Sequence, residues 1–479
     1  MKKKILQLEQ KARILDEGDY HHNELMKSAT EYGDRFLQSL SKQKAYEIFD
    51  ESVDSLLEDP LEETPGNIRE IIQDIENRVI PPGLNPASGN HYGYIPGGGL
   101  AAGAAGDYLA AITNPYAGVY FSSPGAVNLE RRLIRWMAEF IGYSTGFGGN
   151  LTSGGSIANL TAVHTAREAH NIKPEGVRKA VVYVTDQTHH CVERALLVSG
   201  MGECVRQNVP MDDWFRMDPS KLQKMVDEDR KNGLNPWMVV ASAGTTDAGA
   251  VDPLEDIAAV TSSNKLWFHV DAAYGGFFLL TERGKEMMKG IEKSDSVVLD
   301  PHKGMFISYG SGALIVKNEE LLAKAHRYDA SYMQDTIADD FGYSPADLSP
   351  ELSKHFRALR MWLPLKLHGV EAFRSALDEK RMLANYAWQK LSEMDDFEVG
   401  PEPQLSVFMF RYKPGSKNVD ELNRKLHQAI KKDGRIFFST TRYKGHFMLR
   451  LAVLSVRTHL ENIDSALKII REKAVGVSK

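Results

Sequence analysis

The residues able to do chemistry in this sequence sit where apolar runs stop. Ser296-Val297-Val298-Leu299 is an apolar, β-type run, and Asp300-Pro301-His302-Lys303-Gly304 follows it. Pro301 has no N–H for a strand ladder, so the strand ends there and the chain turns. An amine just past a buried strand end suits Schiff-base chemistry. It is nucleophilic only when neutral, and partial desolvation is expected to lower the Lys303 pKa toward that state. An isolated lysine on a turn is ordinarily only solvated, so the case for Lys303 rests on its companions. The apolar run 266–270 stops at Asp271, the run 237–243 stops before Thr246, and the run 180–185 is followed by His189 and His190. Ser153-Gly154-Gly155-Ser156 opens a helical stretch. Free N–H groups and the positive end of the helix dipole make such a start an anion site, although Ser and Gly also serve as ordinary caps. No Gly-Lys-Ser/Thr follows, so this is not a nucleotide P-loop.

The elements that must position these groups alternate. Short apolar strands at 180–185, 237–243, 266–270 and 297–299 are separated by helical patterns, which predicts a largely parallel sheet covered on both faces. Ligands of such sheets bind beyond the carboxyl ends of the strands, where His189, Thr246, Asp271 and Lys303 all fall. Residues 307–317 read as a strand pair or a bent strand. Residues 326–350 read as a long, acidic, poorly periodic loop. Helical periodicity returns near 354, and an α+β stretch follows at 376–479, with strands expected at 406–412 and 447–453. Ahead of the sheet, Ile5, Leu8, Ala12 and Leu15 recur at helical spacing, as do Leu25, Ala29, Tyr32, Phe36 and Leu40. A third helix is expected from Asn67, ended by Pro81-Pro82-Gly83. The His91-Tyr92-Gly93-Tyr94-Ile95-Pro96-Gly97-Gly98-Gly99 stretch reads equally well as a loop admitting a ligand close to the backbone and as a hinge. His269, inside an apolar strand, reads as structural.

An anion site, an acid and a lysine on one rim suggest pyridoxal 5'-phosphate. The phosphate needs the helix start at Gly155 and Ser156, and the aldehyde needs the Lys303 amine. The pyridine nitrogen is an electron sink only when protonated, which a carboxylate such as Asp271 maintains. An imidazole such as His189 can cover the flat ring; a satisfied core or surface histidine is the commoner fate for such a pair.

From about residue 25 to the C terminus the chain resembles the fold-type I, group II pyridoxal-phosphate decarboxylases, in the aromatic L-amino-acid decarboxylase branch. The resemblance is carried by Asp300-Pro301-His302-Lys303, by His269-Val270-Asp271-Ala272-Ala273-Tyr274, by Asp186-Gln187-Thr188-His189 with Val192-Glu193-Arg194-Ala195, and by Phe356-Arg357-Ala358-Leu359-Arg360-Met361-Trp362. It implies a mostly parallel seven-stranded sheet in a large domain (97–360), a small α+β C-terminal domain (361–479) and a helical N-terminal segment (1–96) exchanged across a homodimer. It also implies roles. Lys303 would form the internal aldimine, Asp271 would pair with the pyridine N–H and His189 would stack on the ring. Gly155, Ser156 and His302 would serve the phosphate, with Thr246 and Ala273 beside the cofactor. Tyr94, Pro96, Gly97 and Ser406 would face the substrate. Tyr332, in the context Asp329 to Tyr332, would protonate the carbanion after CO2 leaves a quinonoid.

The sequence departs from that pattern at Asp300, where animal members carry asparagine; its carboxylate is expected to turn away or accept N–H bonds. Gly97-Gly98-Gly99 replaces bulkier residues. By the same resemblance, Ser406 stands where the plant branch carries Ser for phenolic and Gly for indolic substrates, which implies tyrosine or dihydroxyphenylalanine as substrate rather than tryptophan. Competing readings are an aromatic acetaldehyde synthase, against which His189 and Tyr332 count, a decarboxylase of an acidic amino acid, which needs a further cation, and a catalytically silent scaffold.

Composition fits a cytoplasmic enzyme. The chain has 479 residues and a net charge of -6, which disfavours a nucleic-acid surface. Cys191 and Cys204 are too few for a disulfide framework or a typical zinc site. Met1-Lys2-Lys3-Lys4 imitates the start of a signal peptide, but no apolar core follows, and no apolar run is long enough to span a membrane.

Overall fold

The alternation of apolar strands and helices builds a seven-stranded sheet. Its strands are β1 (Gly148–Thr152), β2 (Ala180–Val184), β3 (Val205–Asn208), β4 (Asn235–Ser242), β5 (Trp267–Asp271), β6 (Ser296–Leu299) and β7 (Gly312–Val316). The computed structural model describes residues 1–16, 19–49, 51–327, 342–415 and 418–478. The spatial order is β1-β7-β6-β5-β4-β2-β3. Only β7 runs against its neighbours, pairing antiparallel with both β1 and β6. The stretch 307–317 therefore supplies one strand, not a strand pair.

Each central strand is buried along its whole length, as the double cover of a parallel sheet requires. Side chains alternate between the two faces. On one face Val181, Tyr183, Phe268, Val270, Val297 and Leu299 join the largest apolar cluster. On the other, Val182, Val184, Trp267 and Val298 meet Ala158, Ala162 and Ala166 of the helix Gly155–Ala169. Period two therefore places Trp267, His269 and Asp271 of β5, with Ser296 and Val298 of β6, on the face that this helix covers. The polar chemistry is assembled under one helix by strand geometry.

A second sheet of five strands lies at the C-terminal end of the sequence. In spatial order they are Phe397–Val399, Val407–Tyr412, His446–Ala452, Phe437–Tyr443 and His91–Tyr92. The last is donated by the N-terminal part of the chain and pairs parallel with Phe437 and Phe438. The segment that continues into Tyr94–Gly99 is thus stitched to the C-terminal sheet. The helix Ala358–Ser392 joins the two regions and is kinked at Gly369, which has a φ of +72°. Asn67 caps the helix Ile68–Asp74 through the Arg69 amide, as its sequence position predicts. Among the described residues no helix is long and apolar enough to cross a membrane.

β1, which leads into the helix Gly155–Ala169, is anchored by charge. Lys354 is fully buried, and its Nζ donates to Glu130 Oε1 at 2.7 Å. The same oxygen accepts the Leu151 amide at 2.9 Å. Removing one partner of such a pair strands the other charge in the interior, at a cost of about 3–5 kcal/mol. Lys354→Met is expected to lower the denaturant midpoint by a corresponding amount without changing the slope; a midpoint within error of wild type would remove this anchor from the account.

Candidate active site

Beyond the carboxyl ends of β2, β4, β5 and β6 lies a cavity of about 290 Å³. Eight of the residues singled out from the sequence line it: Gly155, Ser156, His189, Thr246, Asp271, Ala273, His302 and Lys303. Parallel strands bring them together, because each polar group follows a strand pointing the same way.

Lys303 sits in the one-turn helix Pro301–Gly304, a quarter exposed. Its Nζ lies 3.0 Å from Asp300 Oδ2. Burial works against its charge, but the carboxylates of Asp300 and Asp271 outweigh burial, and the pKa is raised above the ordinary lysine value. This corrects the expectation of a lowered lysine pKa. Asp300 does not turn away; the other expected outcome is the one observed, its Oδ2 accepting from the Lys303 ammonium. It is buried, its carboxylate faces Lys303, and its second oxygen, Oδ1, has no partner. Its amide donates to the Ala273 carbonyl, and the glycine start of the Gly155 helix leaves room for its side chain: a Cβ built on Gly155 would lie 2.9 Å from Asp300 Oδ2.

Asp271 ends β5 and is held by N–H donors. Its Oδ1 accepts the Ala273 amide at 3.1 Å, and its Oδ2 accepts Asn159 Nδ2 at 3.3 Å. Asn159 also donates to the Gly155 carbonyl, so its Oδ1 is left as an acceptor for His269 Nε2 at 2.8 Å. His269 Nδ1 then accepts from the Ser296 hydroxyl at 2.8 Å, and that oxygen accepts Trp267 Nε1–H. A directed chain of hydrogen bonds thus runs between the sheet and the helix Gly155–Ala169 to Asp271. Sequence reading made His269 structural, and it is; Asn159 was missed. Its one signal was its place four residues after Gly155, on the same face of the helix.

His189 Nδ1 accepts the Cys191 amide and so caps the helix His190–Leu196. Burial lowers its pKa. The His302 pKa is likewise lowered, chiefly by burial, and its Nδ1 lies 2.5 Å from the Ser311 carbonyl. In the helix Gly155–Ala169 the Ile157 and Ala158 amides already donate to the Gly154 carbonyl. The Gly155 and Ser156 amides are the ones that helix geometry leaves for a ligand.

The expected substrate residues are not among those that line this cavity. Gly97 packs under the lysine turn: a Cβ there would run into the His302 carbonyl and lie 2.9 Å from the Lys303 carbonyl. Gly98 and Gly99 have φ of +91° and +70°, and their carbonyls accept from Arg457. Backbone fit explains this glycine run. Tyr94 is 59% exposed, and Pro96 lies between it and Gly97 in sequence. Ser406 is fully buried behind the cavity wall, 2.7 Å from the hydroxyl of Tyr274. Tyr332 and Asp329 lie outside the described residues. Arg450, not foreseen, is buried and donates to the carbonyls of Thr246 and Tyr94 and to Ser439 Oγ. It ties the rim to the Tyr94 segment and the C-terminal sheet, and burial lowers its pKa to about 10.

Comparison with known proteins leads to the same cofactor. The family model "Pyridoxal-dependent decarboxylase conserved domain" matches residues 51–413. An aromatic-L-amino-acid decarboxylase of Bacillus atrophaeus is 36% identical over 390 residues, covering 80% of this chain and 81% of that protein. A phenylacetaldehyde synthase of Arabidopsis thaliana is 28% identical, with 88% of each chain covered. A crystal structure of Oryza sativa TDC with PLP and tryptamine superposes with a TM-score of 0.91 over 96% of this chain and 99% of that one, at 23% identity. The cavity fits that cofactor: a lysine, a carboxylate held by N–H donors, an imidazole and a helix start left bare by glycine surround a single space.

The buried imidazoles contribute a pH dependence of definite sign that outweighs the opposite contribution of Asp252, whose carboxyl is pushed up to about 6 by burial. Burial lowers the pKa of His91 and His269 from 6.5 to about 4. Between those values the unfolded chain binds protons that the folded chain does not, so stability falls as pH drops through that window. Thermal midpoints are expected to decrease steadily from about pH 7 to about pH 4.5; a flat or rising midpoint over that range would contradict the neutral, buried state of these rings.

Proposed function

The chain belongs to the pyridoxal-dependent decarboxylase family, and from that premise we propose that it removes the α-carboxylate of an aromatic L-amino acid to give the amine and CO2. One observation carries the reading: Lys303, Asp271, His189 and the Gly155/Ser156 helix start converge on one cavity. When bound, the cofactor supplies a protonated ring that accepts the electron pair released with CO2. The protein's own groups do the rest. Lys303 anchors the cofactor through Nζ, and Asp271, kept an acceptor by its N–H donors, holds a proton on the ring nitrogen. His189 covers the ring, while the Gly155 and Ser156 amides hold the phosphate beside His302. Thr246 and Ala273 complete the wall. Tyr332 would return a proton to the carbon that lost its carboxylate; of the residues expected to face the substrate, Gly97 would act through the Lys303 turn it packs under and Ser406 through Tyr274, while Tyr94 and Pro96 would act from the adjoining segment.

The charges around the cavity favour an aromatic substrate. Lys303 is the only lysine or arginine among its described lining residues. Arg450, a buried guanidinium at the rim, is engaged by the Thr246 and Tyr94 carbonyls. Among the described lining residues, a second, distal carboxylate on the substrate would find no cation besides Lys303. The Bacillus atrophaeus relative, named for aromatic substrates, supports the same choice.

We also propose a homodimer. The helix Lys2–Ala12 buries none of its own residues, and Ile5 and Leu8 are more than half exposed. Amphipathic helices of this kind gain stability by packing against another surface. The expected mass in solution is twice that of the chain; a monomer at micromolar concentration contradicts the proposal.

The deciding assay incubates the purified protein and Lys303→Ala with phenylalanine, tyrosine, dihydroxyphenylalanine, tryptophan, glutamate, aspartate and cysteine sulfinate. The products measured are CO2, amine, aldehyde, ammonia and hydrogen peroxide. Equimolar CO2 and amine from an aromatic substrate, absent from the variant, is the expected result. Aldehyde with ammonia and peroxide would assign oxidative chemistry, and turnover of the acidic substrates alone would overturn the substrate class.

A further inference from the structure

The Lys303 amine has two carboxylates near it, and they are not equivalent. Asp271 is committed elsewhere, with one oxygen accepting the Ala273 amide and the other accepting Asn159. Asp300 has no such commitments. Its Oδ2 lies 3.0 Å from Lys303 Nζ, with His302 Nε2 more distant at 3.7 Å, and its Oδ1 is buried without a partner. A buried carboxylate with no other donor is stable only while the ammonium remains beside it.

We propose that Asp300 is a dedicated counter-ion that holds Lys303 as an unreactive ammonium, and that this residue thereby sets how fast the protein captures its cofactor. The proposal rests on the pyridoxal-phosphate reading above. Capture joins Nζ to the aldehyde carbon and expels the aldehyde oxygen as water. Before that bond forms, the ammonium must release one proton, to solvent or to a neighbouring base. Asp300 opposes that release, because losing the positive charge leaves its own charge buried and unpaired. Asparagine, nearly the same shape, carries no charge and offers no such opposition.

The other groups facing Lys303 are His302 on its own turn, Asp271 at the end of β5, His189 and Cys191 beyond β2, and Tyr309 on the following segment. All of them remain in an Asp300→Asn variant. The raised Lys303 pKa agrees with the geometry.

The test uses full-length protein stripped of cofactor, as wild type, Asp300→Asn and Asp300→Ser. Each is mixed with pyridoxal 5'-phosphate and, separately, with pyridoxal. The absorbance of the new carbon–nitrogen double bond is followed against pH. Both variants are expected to capture both aldehydes about tenfold faster at neutral pH, with the rate profile displaced about one unit toward acid. Wild-type rates are expected to climb from about pH 7 to about pH 9, as a protonated amine requires. Identical rates and profiles in all three proteins would overturn the proposal. Acceleration with pyridoxal 5'-phosphate but not with pyridoxal would also overturn it, by assigning Asp300 to repulsion of the phosphate. Should neither variant fold, a wild-type rate that is flat across that range would do the same. Failure of the wild type to form the bond at any pH refutes the cofactor reading, a result distinct from these.

Discussion

A lysine ammonium beside buried carboxylates, at the carboxyl ends of parallel strands, is the constraint on which this structure depends. Charges out of water are costly unless paired, and Asp271 and Asp300 are both buried. The fold meets that cost at one place. β5 delivers Asp271 and β6 delivers Asp300. The turn forced by Pro301 returns Lys303 to the same point, within 3.0 Å of Asp300. Strand direction decides that these groups meet, and the helix Gly155–Ala169 decides how tightly, because its glycine start is what lets the Asp300 carboxylate lie beneath it.

Two kinds of support hold this arrangement. Below the rim, the hydrogen bonds from Trp267 through Ser296, His269 and Asn159 orient Asp271 from behind. The chain is buried, and each member has a defined role as donor or acceptor, so it adds direction without adding charge. Above the rim, Arg450 fastens the Thr246 and Tyr94 carbonyls to the C-terminal sheet, and Arg457, in the turn after the strand His446–Ala452, fastens those of Gly98 and Gly99. The site therefore draws on residues from both ends of the sequence, and the N-terminal strand His91–Tyr92 in the C-terminal sheet is the structural expression of that union.

Much of this was legible in the sequence, for physical reasons that can be named. Lys303, Asp271, Thr246 and His189 come just after apolar runs, and parallel strands deliver the residues beyond their carboxyl ends to one rim. Gly155 and Ser156 stand at a helix start, which is visible as a change of period. Other features depend on distances that sequence does not carry. Asp300 faces Lys303 because of where the Gly155 helix lies, so its orientation and the raised lysine pKa could not be read from Asp-Pro-His-Lys. A single asparagine inside a helix, Asn159, carries no chemical signal until His269 and Asp271 are known to lie beneath it. Arg450 meets Thr246 and Tyr94 across more than 200 residues of chain. Gly97 suggested a ligand loop, yet its lack of a side chain is needed by the backbone of Lys303. Ser406 touches Tyr274 and reaches the cavity only through it.

The central claim is that Lys303, among all the lysines of the chain, is the residue this rim prepares to bind the cofactor. Borohydride reduction of the protein loaded with pyridoxal 5'-phosphate, followed by peptide mass mapping, tests it most directly. The account predicts one stoichiometric pyridoxyl adduct, on the peptide containing Lys303, lost in Lys303→Ala. A stoichiometric adduct on a different lysine, or none from the loaded protein, would contradict it.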